Sequence, residues 1–182
     1  MANYYYLIAS LPMLRKDQSE YMAYEDFLSL CRDHLSKSDY DVLSNATLTG
    51  DEVKGNGFIK GFSHYRSMVE KELAAQRSAR LKISDSRYIN TGDKETRISE
   101  TIHRAVTDDN PLEAEKIILS LYWDYLESHA GLNHIFDLTF LLSYALRLQI
   151  LSRISSFTRE KGNAEFSRLF SNLKSEIFPL RG

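Results

Sequence analysis

Residues 135–157 constrain the fold more than any other stretch. Read as a helix, Ile135–Phe157 is apolar around most of its circumference, with Thr139, Ser143 and Arg147 marking a thin polar stripe. A helix of that kind must be surrounded by others on several sides. It does not suit a bilayer: its best apolar core, Leu138–Ile154, is interrupted by Arg147, Gln149 and Arg153, well short of the roughly 20 uninterrupted residues a span requires. The chain therefore needs several amphipathic helices to cover this one, and an all-α fold is predicted.

Those helices can be found. Asn110-Pro111-Leu112-Glu113 combines an Asn cap, Pro at the first helical position and Glu at the third, the sharpest boundary in the chain. The helix it opens runs to about His129, with Gly131 as a left-handed stop. Ala114, Ile118, Leu121 and Tyr125 line one face and Leu119, Tyr122, Trp123 and Leu126 the next, so this helix should touch more than one neighbour. Tyr24–Leu35 carries Phe27, Leu28, Cys31 and Leu35 on one side, and Ser38 is read as the cap of a short helix with Tyr40 and Leu43 inward. Phe58 to about Ile83 is one long helix with a narrow seam (Phe58, Phe62, Tyr65, Val69, Leu73) suited to a helical hairpin. Beyond Leu73 the seam turns polar, and the far end is expected to project past its own core. Thr96–Val106 and Ala164–Ile177 complete the set, the latter after a break at Gly162-Asn163. Tyr4–Ile8 reads locally as strand, but nothing else in the chain could pair with it. A buried helix or extended segment stopping at Pro12 is expected instead.

Eight Gly and three Pro among 182 residues are few for a turn-rich β fold. One cysteine, Cys31, excludes an intrachain disulfide and a cysteine metal cluster, and favours a reducing compartment. No basic, apolar leader is visible at Met1-Ala2-Asn3-Tyr4. The net charge of −2 argues against nucleic acid as a general partner. Charge is unevenly spread. Residues 1–55 hold 5 Lys+Arg and 9 Asp+Glu, residues 56–107 hold 10 and 6, and residues 108–182 hold 8 and 10. These three stretches are read as sub-lobes of a single helical domain: N-terminal helices, projecting helix with basic loop, and C-terminal core.

The chemistry-bearing motifs are missing. There is no GxGxxG, GxxxxGK[ST], GxSxG or HExxH. His129, His134 and Asp137 straddle a helix break, so no shared metal face is implied. Glu113, Glu115, Asp124 and Glu127 lack the Glu-x-x-His partners of a di-iron bundle and read as a solvated face. Cys31 lies on an apolar face and is expected to be an inert core thiol. No catalytic residue, metal or cofactor is therefore assigned. The polar feature that stands out is the cluster Arg77, Arg80, Lys82 and Arg87, which a solvated helix end or a docking surface for an acidic partner would explain equally well.

The stretch Asp109–Arg153, DNPLEAEKIILSLYWDYLESHAGLNHIFDLTFLLSYALRLQILSR, resembles the C-type stalk subunit of V-type (A-type) ATPases, the d-type subunit of eukaryotes. The chain is more closely similar to the small bacterial family encoded beside V-type ATPase subunits. NYYYLIASLPML near the start and ELAAQRSARL at Glu72–Leu81 share in the resemblance. It implies a non-catalytic, all-helical subunit of the central stalk, coupling the shaft subunits to the membrane rotor ring from the cytoplasmic side of the inner membrane without inserting into it. The full C-type subunit has three similar lobes and about twice this length. This chain shows no repeat, so a reduced version, one half of a pair or an assembly factor is implied. The alternative is a free-standing helical adaptor unrelated to the ATPase.

Overall fold

The computed structural model describes residues 4–49, 56–83, 95–131 and 134–177, with the side chains of 159–161 and 172–177 left out of the description. Among the described residues there are eight helices and no strand: α1 (Tyr4–Ser10), α2 (Tyr24–His34), α3 (Lys37–Asn45), α4 (Gly57–Arg80), α5 (Thr96–Thr107), α6 (Pro111–His129), α7 (Leu138–Ser156) and α8 (Arg159–Ile177). The chain is an all-α bundle, as the apolar periodicities require.

Helix α7 is its axis. Every residue from Leu141 to Leu148 is buried, including Ser143 and Arg147. α6 packs along one side of α7, and α2 and α3 along another. Phe27 of α2 is fully buried with its ring 5.1 Å from that of Tyr144. Beyond α6 lie α4 and α5, so α6 is flanked on two sides, as its broad apolar arc demands. Gly61 lets α4 approach: a Cβ there would stand 2.8 Å from the Tyr125 hydroxyl. Tyr125 has little room to retreat, because its ring stacks on Tyr65 at 4.4 Å and on His129 at 3.9 Å.

The helix starts follow from capping. The Asn110 side chain accepts the Leu112 N–H, with Pro111 at the first position. Asp137 accepts from the Phe140 N–H and opens α7 three residues later than periodicity suggests. Ser36, not Ser38, caps α3: its hydroxyl oxygen accepts from the Asp39 N–H while its O–H donates to the Asp39 carboxylate. That register also lets Tyr4 of α1 donate to Asp39 at 2.7 Å, which ties the N-terminus down. The segment Tyr4–Ser10 is thus helical, with Leu7 and Ile8 buried.

Several details differ from expectation. The far end of α4 does not project free, because α5 lies along it. Its polar seam faces inward: Gln76 donates to Glu72 and to the Ser99 carbonyl, Ser99 donates to Glu72, and Arg80 donates to the Val106 carbonyl. These pairs advance in the same direction on both helices, so α4 and α5 run parallel and do not form a hairpin. The seam turned polar because its partner offers polar groups there. Gly131 does not adopt a left-handed conformation; α6 ends where the Ala130 N–H bonds to Leu126 O, and the His134 N–H then reaches Gly131 O. Gly162 does not break the chain either, since α8 runs through it from Arg159. Glycine removes helix propensity but not the hydrogen-bonding capacity of the backbone, and one costs only about 1 kcal/mol inside a helix.

Since Phe27 is fully buried against the axial helix, replacing it by Ala should cost about 3–5 kcal/mol, read as a lower urea midpoint at unchanged slope.

Candidate functional site

Two surface features remain unexplained by packing. The first is a cleft of about 550 Å³ between α6, α7 and the irregular strap of residues 11–23 that joins α1 to α2. Its floor is apolar: Leu119 and Trp123 from α6, and Ile150, Leu151 and Ile154 from α7. All but Ile154 are buried, with only 1–4% of their surface exposed, so the floor opens narrowly between the rim groups. Its rim carries Lys16, Asp17 and Tyr21 from the strap, and Lys116, Ser120 and Ser155 from the helices. The strap is held in place by few groups. Pro12 O accepts from the Tyr144 hydroxyl, Leu14 is buried, the Tyr21 and Ser155 hydroxyls lie 2.6 Å apart, and Lys16 pairs with Asp124.

The second is the apolar face of α8. Phe166, Leu169 and Phe170 recur at helical spacing and are 69%, 54% and 57% exposed. Among the described residues no other helix packs along α8. Its own order comes from local pairs: the Phe166 and Phe170 rings stack at 6.1 Å, and Arg168 donates to Glu165 at 2.9 Å. A stripe of this size at the surface is more than folding of a lone chain calls for.

The basic cluster is dispersed in role. Arg77 is exposed on the last turn of α4. Arg80 caps the end of α5 through Val106. Lys82, also exposed, has a positive φ of 56° and closes α4 in the glycine manner: its N–H bonds to Ala79 O and the Ile83 N–H to Ser78 O. Arg87 lies outside the described residues.

The acidic residues of α6 are exposed or half-exposed to solvent, as expected, but they are not idle. Each is matched to a cation: Glu113 to Lys116, Glu115 to Arg153, Asp124 to both Lys16 and Arg97, and Glu127 to Arg147. Among the described residues no group of three or more His, Cys, Asp or Glu side chains could hold a metal ion. His134 instead pairs with Asp137 at 2.6 Å, and His129 stacks on Tyr125. Burial pushes the Cys31 thiol up to about 12, consistent with an inert core residue. Burial likewise raises the Tyr65 and Tyr144 phenols to about 12 and those of Tyr4, Tyr24, Tyr122 and Tyr125 in the same direction. It pulls Arg147 down, partly offset by Glu127. These shifts belong to the packed core and not to a constellation of converging acids and bases. Among the described residues no helix is long and apolar enough to cross a membrane.

Sequence reasoning did not find the cleft. Its one legible trace is the second apolar face of α6, to which Leu119 and Trp123 belong. The strap residues Lys16 and Tyr21 carry no periodic signal.

A family model described as "Protein of unknown function (DUF2764)" matches residues 67–177, more than half of the chain. The matched region runs from the middle of α4 through α8, and so contains both walls of the cleft and the α8 face but not the strap. No curated protein and no solved structure matches the chain.

Two outcomes follow from these geometries. A non-glycine residue in the left-handed region costs roughly 1 kcal/mol or more, so Lys82→Gly should raise stability by about 1 kcal/mol in urea while Lys82→Ala does not. The buried thiol and phenols have folded values above their unfolded ones, so the unfolded chain loses protons first as pH rises. Stability should therefore be full below about pH 8.5 and fall steadily toward pH 12, with the part of the tyrosinate absorbance that belongs to the buried phenols appearing together with loss of helical ellipticity.

Proposed function

We propose that this chain, which belongs to the DUF2764 family, is a non-catalytic helical protein that works by holding other proteins, as a central-stalk or associated subunit of a V-type (A-type) rotary ATPase. The observation that carries the reading is the α8 face: Phe166, Leu169 and Phe170 lie exposed in one stripe on a helix that no other helix packs along among the described residues, unlike exposed apolar side chains elsewhere such as Tyr6, Met13 and Leu81. An apolar stripe at spacing i, i+3, i+4 is how a helix presents itself to a groove or helix of a partner. The resemblance to the C-type stalk subunit supports it from another direction. Asp109–Arg153 falls on α6 and α7, the pair on which the core is built. A stalk element must transmit torque, and a close-packed helical core is stiff enough to do so. Shaft subunits and the membrane rotor ring are the partners this role implies, with the protein on the cytoplasmic side of the inner membrane and attached through the complex. Arg77 and Lys82 at the end of α4 would be available to acidic groups of such a partner; Arg80 is already engaged with Val106.

The test is purification of the tagged full chain from native membranes, with the co-purifying proteins identified. V-type ATPase shaft and ring subunits should accompany the parent and be lost from a Phe166→Asp/Phe170→Asp variant that melts with it, since both positions are exposed. Retention of those subunits by that variant but not by Arg77→Glu would move the docking surface to the end of α4. A preparation containing no ATPase subunit would sink the stalk reading and leave the free-standing adaptor.

A further inference from the structure

The cleft beneath the strap is independent of the α8 face, and its construction suggests a ligand of its own. Its volume of about 550 Å³ lies within the range of small-molecule sites, roughly 300–1,000 Å³. Five large apolar side chains, Leu119, Trp123, Ile150, Leu151 and Ile154, line it, and the polar groups are confined to the rim. A polar metabolite would lose its hydration against that floor without compensation, whereas a hydrocarbon chain would gain with every methylene it buries.

The rim says what the other end of the ligand carries. Asp124 holds two cations, Lys16 from the strap and Arg97 from α5, the latter at 2.6 Å. If Lys16 turns away, Asp124 keeps Arg97 and no carboxylate is left unpaired. Lys16 is thus a spare cation on the edge of an apolar cleft, in a surface pair of the kind that contributes little and exchanges readily. Lys116 stands on the same rim, paired with the exposed Glu113. Asp17 is the one acidic side chain on the rim and limits the charge the mouth can accept. The Tyr21 and Ser155 hydroxyls close one edge by their mutual hydrogen bond.

We propose that this cleft binds a single-chain amphiphile with one anionic head, a free fatty acid or close analogue, its chain on Trp123 and Ile150 and its carboxylate on Lys16 and Lys116. Binding would draw the strap down through Lys16 and Tyr21, coupling the ligand to the connection between α1 and α2.

Trp123 is the single tryptophan of the chain and forms part of the floor, so its fluorescence reports the site directly. The full chain would be titrated with dodecanoate, dodecanol and dodecyltrimethylammonium, each below its micelle concentration. Dodecanoate should give a saturable change at one equivalent, with the alcohol and the cation binding about tenfold more weakly or worse. Lys16→Gln/Lys116→Gln should abolish that preference and leave the alcohol unaffected. Ser120→Phe, which fills the cleft from its half-exposed rim, should remove binding of all three while circular dichroism and melting match the parent. Absence of any saturable change overturns the proposal, as does equal binding of acid and alcohol that the lysine variant does not alter. So does binding seen only after Phe166→Asp/Phe170→Asp, which would mean that the cleft is already filled by α8 of another copy. None of these readouts depends on the ATPase, so the stalk reading and the ligand proposal stand or fall separately.

Discussion

Helix α7 is buried on almost every side, and a helix covered by aliphatic side chains alone would be free to slide or rotate against its neighbours. Four polar side chains prevent that, each holding a different part of the chain. Ser143 donates to the Leu126 carbonyl and sets α7 against α6. Arg147 lies over the Trp123 ring at 5.4 Å and reaches Glu127 at the surface, which fixes the same pair one turn on. Gln149 donates to Ala46 O and accepts from the Leu48 N–H, so the chain leaving α3 is pinned to it. Tyr144 donates to Pro12 O and anchors the strap. A buried polar group without its partner would cost more than its bond contributes. Registers other than the native one are disfavoured for that reason more than for any difference in apolar area.

The acids of α6 act in the same way at the surface. Glu115 ties α6 to Arg153 of α7, and Asp124 joins α6 to Arg97 of α5 and to Lys16 of the strap. Individually such exposed pairs contribute little. Their value here is positional, since they lie where three elements meet and agree with the register that Ser143 and Arg147 impose from inside. What the sequence shows as an acidic face is, in three dimensions, a line of attachments.

The parts of the fold that could be read were those whose signal is local. Asn110-Pro111 marks the start of α6 because cap and first turn are adjacent in sequence, and the buried side of α2 is visible because Phe27, Cys31 and Leu35 repeat at helical spacing. Periodicity reports that a face is buried but not what covers it. The polar end of the α4 seam therefore looked like a projection, when α5 supplies Ser99 and the Val106 carbonyl to meet it. The same limit hid the cleft, whose strap and helix walls are brought together by contacts such as Tyr21 with Ser155, 134 residues apart. Ser36 and Ser38 offer nearly equivalent caps locally, and Tyr4 bonding to Asp39 favours the first.

The two unexplained surfaces gain weight from the continuity of the core behind them. Other large apolar side chains are exposed too, Tyr5, Tyr6, Met13, Leu81 and Phe136 among them, but they sit on loops or element ends and not in a stripe along one helix. Here the core is one continuous cluster reaching from α1 to α7, with its internal hydroxyls, amides and guanidinium largely engaged. The apolar stripe of α8 is not a packing remainder, because none of the described side chains of α8 belongs to the core, and nothing there requires Phe166, Leu169 and Phe170 to be large. Nor is the cleft a gap between mismatched helices. The same stretch of α6 that lines the cleft holds Arg147 over the Trp123 ring and accepts the Ser143 hydroxyl at Leu126 O close by. The rigid part of the molecule thus ends at both surfaces in well-positioned side chains, as expected of sites that a stiff framework holds open for something else to fill.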